Sequence, residues 1–243
     1  MITRRNIKNF IYTIGIPSIV LMENAALKVV SNIDLGLDSY AVVCSRGNNG
    51  GDGLAVARHL ILKDKKVKIY IAGKLESGTE DFNINLKILE NLQADISFIG
   101  NEKEVAALGG VLRVSDLTID ALFGIGLNRN VEGLYYDIIK TMNEESKQII
   151  AVDIPSGINS DSGEVMGIGV KAYKTITFHK MKRGLINCSN YTGKIIVEDI
   201  GIPEILSETQ FNEELEKGYS DYLAGNSKAA EKVFKEIRKD YNL

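Results

Sequence analysis

Short apolar runs rich in valine and isoleucine recur along this chain, and stretches with helical periodicity separate the earlier ones. The runs fall at 40–45, 67–72, 95–99, 111–114, 117–122, 148–153, 174–178 and 194–199, and each reads as a β-strand. Helical patterns occupy 53–64, 79–93, 102–108 and 134–146. A further helical stretch covers 4–34, broken at Gly15 and restarted at Pro17, a residue suited to a first helical turn. Strands that are apolar at successive positions need cover on both faces. The alternation therefore predicts an α/β class chain, with a doubly wound, mostly parallel sheet and helices on both sides.

Such a sheet binds ligands outside the carboxyl ends of its strands. Three segments follow strands and carry unusual chemistry. The first is Gly47-Asn48-Asn49-Gly50-Gly51-Asp52-Gly53, behind Tyr40-Ala41-Val42-Val43-Cys44. The second runs from Asp120 through Gly124-Ile125-Gly126-Leu127-Asn128-Arg129-Asn130, and the third is Asp153-Ile154-Pro155-Ser156-Gly157. Parallel neighbouring strands would bring all three to one edge.

The first segment is a candidate phosphate cradle, because glycine permits close backbone approach and a helix start offers free N–H groups. It matches neither the Gly-x-Gly-x-x-Gly fingerprint nor a P-loop, since two amides and a carboxylate occupy its middle. Asp52 is equally suited to opening a helix at Gly53. In the second segment, two glycines free the backbone and Arg129 can take a phosphate bidentately. An ordinary surface turn would have the same composition.

Asp120 and Asp153 each close an apolar strand, where an unpaired charge is costly. Either could cap the following loop. Two of them on neighbouring glycine-bearing loops favour a ligand site. With Asn49 and Ser156 they form a hard-oxygen donor set suited to an alkali or alkaline-earth cation, and poorly suited to zinc. Asp153 is then the carboxylate left for general acid–base work. His59 and His179 read as structural or surface residues, and Glu23-Asn24 as a polar pair on an apolar helix that could turn toward the site. Nucleophilic catalysis has no support, because no Gly-x-Ser-x-Gly elbow or Cys–His pairing occurs.

Bulk composition narrows the partners. The chain has 243 residues, enough for one α/β domain of about 200 residues and an appendage. A formal net charge of −3 with 25% charged residues gives no sign of nucleic-acid or anionic-membrane binding. No apolar stretch approaches the roughly 20 residues of a membrane span, and the N-terminus lacks the apolar core of a secretory signal. Cys44 and Cys188 do not make a disulfide framework, so a cytoplasmic location is expected.

Five ordered motifs carry a family likeness: Gly15-Ile16-Pro17-Ser18 with Leu21-Met22-Glu23-Asn24-Ala25, then residues 47–53, Asp120-Ala121-Leu122-Phe123-Gly124, Gly126-Leu127, and Asp153-Ile154-Pro155-Ser156-Gly157. Together they resemble the NAD(P)H-hydrate epimerase family, the YjeF N-terminal domain, over residues 1–204. The resemblance implies a Rossmann-like three-layer α/β/α sandwich, usually a homodimer. It implies an isomerase that interconverts the R and S forms of NADHX and NADPHX, the hydrated cofactors, for repair by an S-specific dehydratase partner. Substrate contacts are implied at Asn48, Asn49, Gly50, Gly51 and Asp52, at Gly124, Ile125, Gly126, Leu127, Asn128, Arg129 and Asn130, and at Asp153. One potassium ion per subunit is implied at Asn49, Asp120 and Ser156, with Asp153 as catalytic residue.

Many bacterial members of that family continue into an ATP- or ADP-dependent dehydratase domain. Here residues 205–243 form a separate tail, whose segment 208–243 reads as two charged amphipathic helices around Gly225-Asn226. Ala230, Val233, Phe234, Ile237 and Tyr241 are spaced to line one face. The stretch from Glu216-Lys217-Gly218-Tyr219 through Ala229-Ala230-Glu231-Lys232-Val233-Phe234 resembles the C-terminal part of RelB-type antitoxins, and a tail packed on the domain or on a dimer partner is the plainer reading. Two rivals to the enzyme remain: a non-catalytic scaffold on the same fold, and a nucleotide-binding module without turnover. Intact Asn49, Asp120 and Asp153 weigh against the scaffold. A sugar kinase is disfavoured, because the motifs of that class are absent.

Overall fold

The computed structural model describes residues 15–73, 78–202, 217, 220, 221, 224 and 226–240. The expected helical stretch before Gly15 and most of the first tail helix lie outside these residues. Two compact units divide the chain: one joins Met1–Leu21 with Gly201–Leu243, and the other is Met22–Ile200. In the first, the second tail helix is present at Ser227–Asp240, with an exposed Lys232–Glu236 ion pair at 4.0 Å.

In chain order the elements are α1 (Ser18–Ser31), β1 (Ser39–Cys44), α2 (Asn48–Ile61), β2 (Lys66–Ala72), α3 (Glu80–Asn91), β3 (Asp95–Ile99), α4 (Glu102–Val114) and β4 (Leu117–Ala121). There follow α5 (Leu134–Glu145), β5 (Ile149–Val152), β6 (Lys174–Phe178), α6 (Arg183–Asn187), α7 (Ser189–Thr192), β7 (Lys194–Glu198) and the tail helix α8. The seven strands form one sheet in the order β3-β2-β1-β4-β5-β6-β7, and every pairing is parallel. This Rossmann-like α/β arrangement is the one expected, and more uniformly parallel than the strand patterns required.

Strand β1 shows how the two faces are covered. Ala41 and Val43 point into a cluster with Val105, Leu108 and Leu112 of α4 and Ile138, Ile139 and Met142 of α5. Val42 and Cys44 face the opposite way, under α2 at Gly53. All are fully buried, which explains a strand that is apolar at every inner position. Helix α3 lies beside α2, and α4 beside α5, completing three layers. Strand order reverses direction between β1 and β4, where successive connections leave toward opposite edges of the sheet. The open crevice of a doubly wound sheet lies at that reversal.

Two expectations need correction. The run 111–114 is the last turn of α4, not a strand. Asn101 caps that helix by accepting from Glu104 N at 3.1 Å, and the helix continues through Val111-Leu112-Arg113-Val114. A four-residue apolar run is ambiguous in period, and the cap ten residues earlier decides it. Helix α2 likewise begins at Asn48 rather than Gly53, so most of the glycine-rich segment is helical and Asp52 does not open it. The short helices α6 and α7 carry no sequence periodicity that reveals them.

Glu23 and Asn24 act in the scaffold. Glu23 pairs with Arg58 and accepts from His59 Nε2 at 2.7 Å, tying α1 to α2, while Asn24 donates to the Ile200 carbonyl at 2.9 Å. Among the described residues, no helix is long and apolar enough to cross a membrane.

Candidate functional site

The ends of β1, β4 and β5 meet, because β4 pairs with both β1 and β5. Ser45, just past β1, ties the first two ends together: its N–H donates to the Ala121 carbonyl at 3.4 Å and its hydroxyl to the Leu122 carbonyl. The start of α2 presses onto this junction. A Cβ at Gly50 would lie 1.6 Å from the Ser45 carbonyl oxygen, so only glycine allows the helix to begin so close to the strand. The vacant side of Gly51 faces Met22. The glycines of this segment therefore seat α2 on the sheet, which leaves Asn48 exposed, Asn49 buried and Asp52 half-buried at the edge.

Asp120 has no solvent exposure, and Ser156 has none either. Ser156 donates to Asp120 twice, from its N–H to Oδ2 at 2.8 Å and from Oγ to Oδ1 at 2.6 Å. Leu122 N adds a weaker bond at 3.3 Å, and Phe123 N donates to Ser156 Oγ at 2.8 Å. Burial still pushes the Asp120 carboxyl up to about 6, against the opposing effect of the bonds from Ser156 and Leu122. Gly157, next in the chain, has φ +94 and no room for a Cβ, which would fall 1.8 Å from the Ile168 carbonyl oxygen. This tight turn aims Ser156 back at Asp120.

Asn49 supplies the test of a cation at this place. Both its amide atoms are buried and have no hydrogen-bond partner among the described residues. Its side chain lies against Gly124, within 3.4 to 3.5 Å of where a Cβ there would stand. An amide oxygen left without a partner, packed on Gly124 one residue after the Phe123 whose N–H holds Ser156 against buried Asp120, fits a monovalent hard cation. A transition-metal centre does not fit, because no group of three His, Cys, Asp or Glu among the described residues could hold one.

Asp153 stands directly after β5, with φ +65, a left-handed backbone that non-glycine residues rarely adopt. Its N–H donates to the Ile176 carbonyl at 2.8 Å, fixing it beside β6. Thr177 Oγ1 donates to Asp153 Oδ1 at 3.1 Å, Phe178 N at 3.4 Å, and Lys182 Nζ at 2.5 Å. Nearby Asp52 is pushed well above the usual carboxylate range by desolvation, then by the charges of Asp153 and Asp81, against a pull from Lys182. A proton-bearing carboxyl at Asp52 can donate a hydrogen bond, which an ionised one cannot.

The loop after β4 turns at Ile125-Gly126, and Gly124 and Leu127 close it with a bond of 3.3 Å. Gly126, Asn128, Arg129 and Asn130 are exposed along its rim, while Gly124, Ile125 and Leu127 are half-buried. Its base is set by Phe123, whose ring packs on Tyr135 with centroids 4.9 Å apart. Burial raises the Tyr135 hydroxyl, opposed by the charges of Arg46 and Arg129. Arg46 also lies over the Phe98 ring at 5.6 Å.

Sequence reasoning missed Lys182. Its neighbours Lys180 and Arg183 make the stretch look like a solvated basic run, yet Lys182 is only 8% exposed. The usable signal is positional: it follows β6, whose neighbour β5 ends just before Asp153. His179, read as structural or surface, is half-buried with φ +64, and desolvation with the charges of Lys180 and Lys182 lowers its imidazole to about 4.

Comparison with known proteins places the chain among related sequences. Residues 18–184 match the family described as YjeF-related protein N-terminus. An NAD(P)H-hydrate epimerase of Anaerococcus prevotii is 43% identical over 190 residues, covering 78% of this chain and 87% of the relative. One from Oenococcus oeni is 41% identical over 197 residues, 79% of this chain and 90% of that one. The bifunctional NAD(P)H-hydrate repair enzyme Nnr of Moorella thermoacetica is 37% identical over 209 residues, 82% of this chain but 39% of that longer protein. The crystal structure of yeast ynu0 superposes with a TM-score of 0.68 at 21% identity, over 82% of this chain and 85% of the yeast chain, and shares the fold.

Proposed function

Because the chain belongs to the family of YjeF-related protein N-termini, we propose that it is an NAD(P)H-hydrate epimerase, an isomerase of nicotinamide-cofactor repair. The observation that carries the reading is the position of Asp153. Its carboxylate follows a left-handed backbone at the carboxyl end of β5, beside the crevice where strand order reverses. The substrate is NADHX or NADPHX, lying across that crevice against residues 48–52, residues 124–130 and Asp153.

The chemistry needs one mobile proton. C6 of the hydrated ring carries a hydroxyl and adjoins the ring nitrogen, whose lone pair can expel the substituent. Asp153 gives a proton to that hydroxyl, and water departs with the C6–O bonding electrons as N1 and C6 form a double bond. Water then adds from the other face, and Asp153 takes a proton back. Burial of Asp52 favours its neutral form, which suits a hydrogen bond to the substrate.

Asn49, Asp120 and Ser156 would hold one potassium ion per subunit. When bound, the ion supplies positive charge that offsets the buried Asp120 carboxylate and keeps the loops after β1, β4 and β5 in register. Residues 1–204 form the epimerase domain of a cytoplasmic homodimer, and 205–243 its appended tail. The functional partner is an S-specific NAD(P)H-hydrate dehydratase. A bifunctional repair enzyme among the relatives supports that pairing.

An equilibrated R/S mixture and an S-specific dehydratase test the reading. The dehydratase alone should stall with the R epimer left over, and adding this protein should drain it. Asp153→Ala should lower that rate at least about 10³-fold while the fold is kept, as expected for loss of a positioned acid–base group. Persistence of the R epimer with the unmodified protein would end the epimerase reading, and a fully active Asp153→Ala variant would remove Asp153 from it.

A further inference from the structure

Three hydrogen bonds reach the Asp153 carboxylate, and all three end on the same oxygen. Thr177 Oγ1, Phe178 N and Lys182 Nζ each donate to Oδ1, at 3.1, 3.4 and 2.5 Å. Among the described residues none reaches Oδ2. The Lys182 ammonium is equally committed: it donates to Asp153 Oδ1, to Thr177 Oγ1 at 2.8 Å and to the Phe178 carbonyl at 2.8 Å. Those three acceptors use all three of its protons. A lysine is almost never buried this deeply unless it is paired, because its charge must be compensated.

The backbone on either side is held just as tightly. Asp153 and His179 both take left-handed backbone, φ 65 and 64, at the adjacent ends of β5 and β6. Each such residue costs on the order of 1 to 3 kcal/mol and persists only where its surroundings fix it. Ile176 and Glu198 supply part of that hold, through their carbonyls to Asp153 N at 2.8 Å and His179 N at 2.7 Å. The strain places the Asp153 carboxylate within reach of an ammonium group arriving from the β6–α6 connection.

We propose that Lys182 is a positioning residue for epimerisation: it clamps Asp153 Oδ1, so that Oδ2 alone is presented to the C6 hydroxyl. This rests on the epimerase reading. The proton travels between Oδ2 and the substrate oxygen, while the ammonium keeps its three protons on Oδ1, Thr177 and Phe178. Lys182 therefore acts through Asp153 and does not itself touch the reacting atoms. Loss of the clamp frees the carboxylate to rotate, and an ångström of misplacement is enough to cost about 10²-fold in rate.

The test follows conversion of the R epimer in potassium chloride, with kcat and KM measured for the unmodified protein, Lys182→Ala and Lys182→Arg. The unmodified protein is assayed first, since its inactivity would sink the epimerase reading and leave the pair without a reaction to position. Given an active parent, Lys182→Ala should lose kcat by about 10²-fold with KM within about threefold. Ethylammonium chloride should restore activity saturably by placing an N–H donor in the vacated space, and tetramethylammonium, with no N–H, should not. Lys182→Arg should retain a larger share of kcat than the alanine variant. Unchanged kcat in Lys182→Ala, or a loss that ethylammonium does not relieve and arginine does not spare, overturns the proposal. Should Lys182→Ala fail to fold, the same contrast is read between Lys182→Arg and the near-isosteric Lys182→Met; if the methionine variant also fails to fold, Lys182 is a structural anchor and the proposal is wrong.

Discussion

Asn49 is a residue whose surroundings ask for something the protein does not provide. Burying an amide without a partner costs about 1 to 3 kcal/mol, and here both polar atoms of the amide are in that position. A cation coordinated by its oxygen, together with Asp120 and Ser156, would recover that cost. Replacing choline chloride by potassium chloride should therefore raise the melting temperature, by about 1.4 kcal/mol at ten times the dissociation constant, or roughly 3 to 6 °C for a chain of this size. Asn49→Ala should lose most of that increment while responding normally to ionic strength. An unaltered potassium response in the variant, measured by calorimetry, would exclude Asn49 from the ion's ligands. At this scale the aspartates were readable from sequence, because a charge closing an apolar strand is conspicuous. Lys182 was not, since its burial depends on β6 lying beside β5, and no local pattern records that neighbour.

At the scale of elements, the helix α2 shows why a glycine-rich segment is easily misjudged. Glycine has poor helix propensity, so residues 47–53 read as loop. In the folded chain the absent side chains are what let the first turn of α2 lie against Ser45 and Ala121. That contact overrides propensity and brings Asn49 into the site. Gly50→Ala should cost about 3 kcal/mol, at the upper end for overpacking, because the new methyl would meet a backbone carbonyl that cannot rotate away. Urea denaturation of the variant reads this directly, and a change under 0.5 kcal/mol would mean that α2 can start elsewhere. Strand assignments succeeded where β-branched runs were flanked by turn residues. The run at 111–114 failed that rule, since an intact helix cap at Asn101 carries the chain through it.

Over the whole molecule, one topological fact does most to locate function. Strand order reverses between β1 and β4, and the loops that follow both strands, with that after β5, carry the candidate substrate, ion and acid–base residues, while Thr177 and Lys182 reach Asp153 from β6 and the connection after it. Alternating strands and helices made a parallel, doubly wound sheet legible in the sequence, but not the order of its strands. Order follows from long-range pairing, such as Val43 with Asp120, and leaves no trace in local composition. The family motifs supplied what periodicity could not, by marking which strand ends belong together. The most direct measurement starts from purified R-NADHX and uses no coupling enzyme. Chromatographic separation of the epimers should show S-NADHX appearing at a rate proportional to protein concentration, until the two epimers reach their equilibrium ratio. An R epimer that converts no faster than in buffer alone would contradict the account.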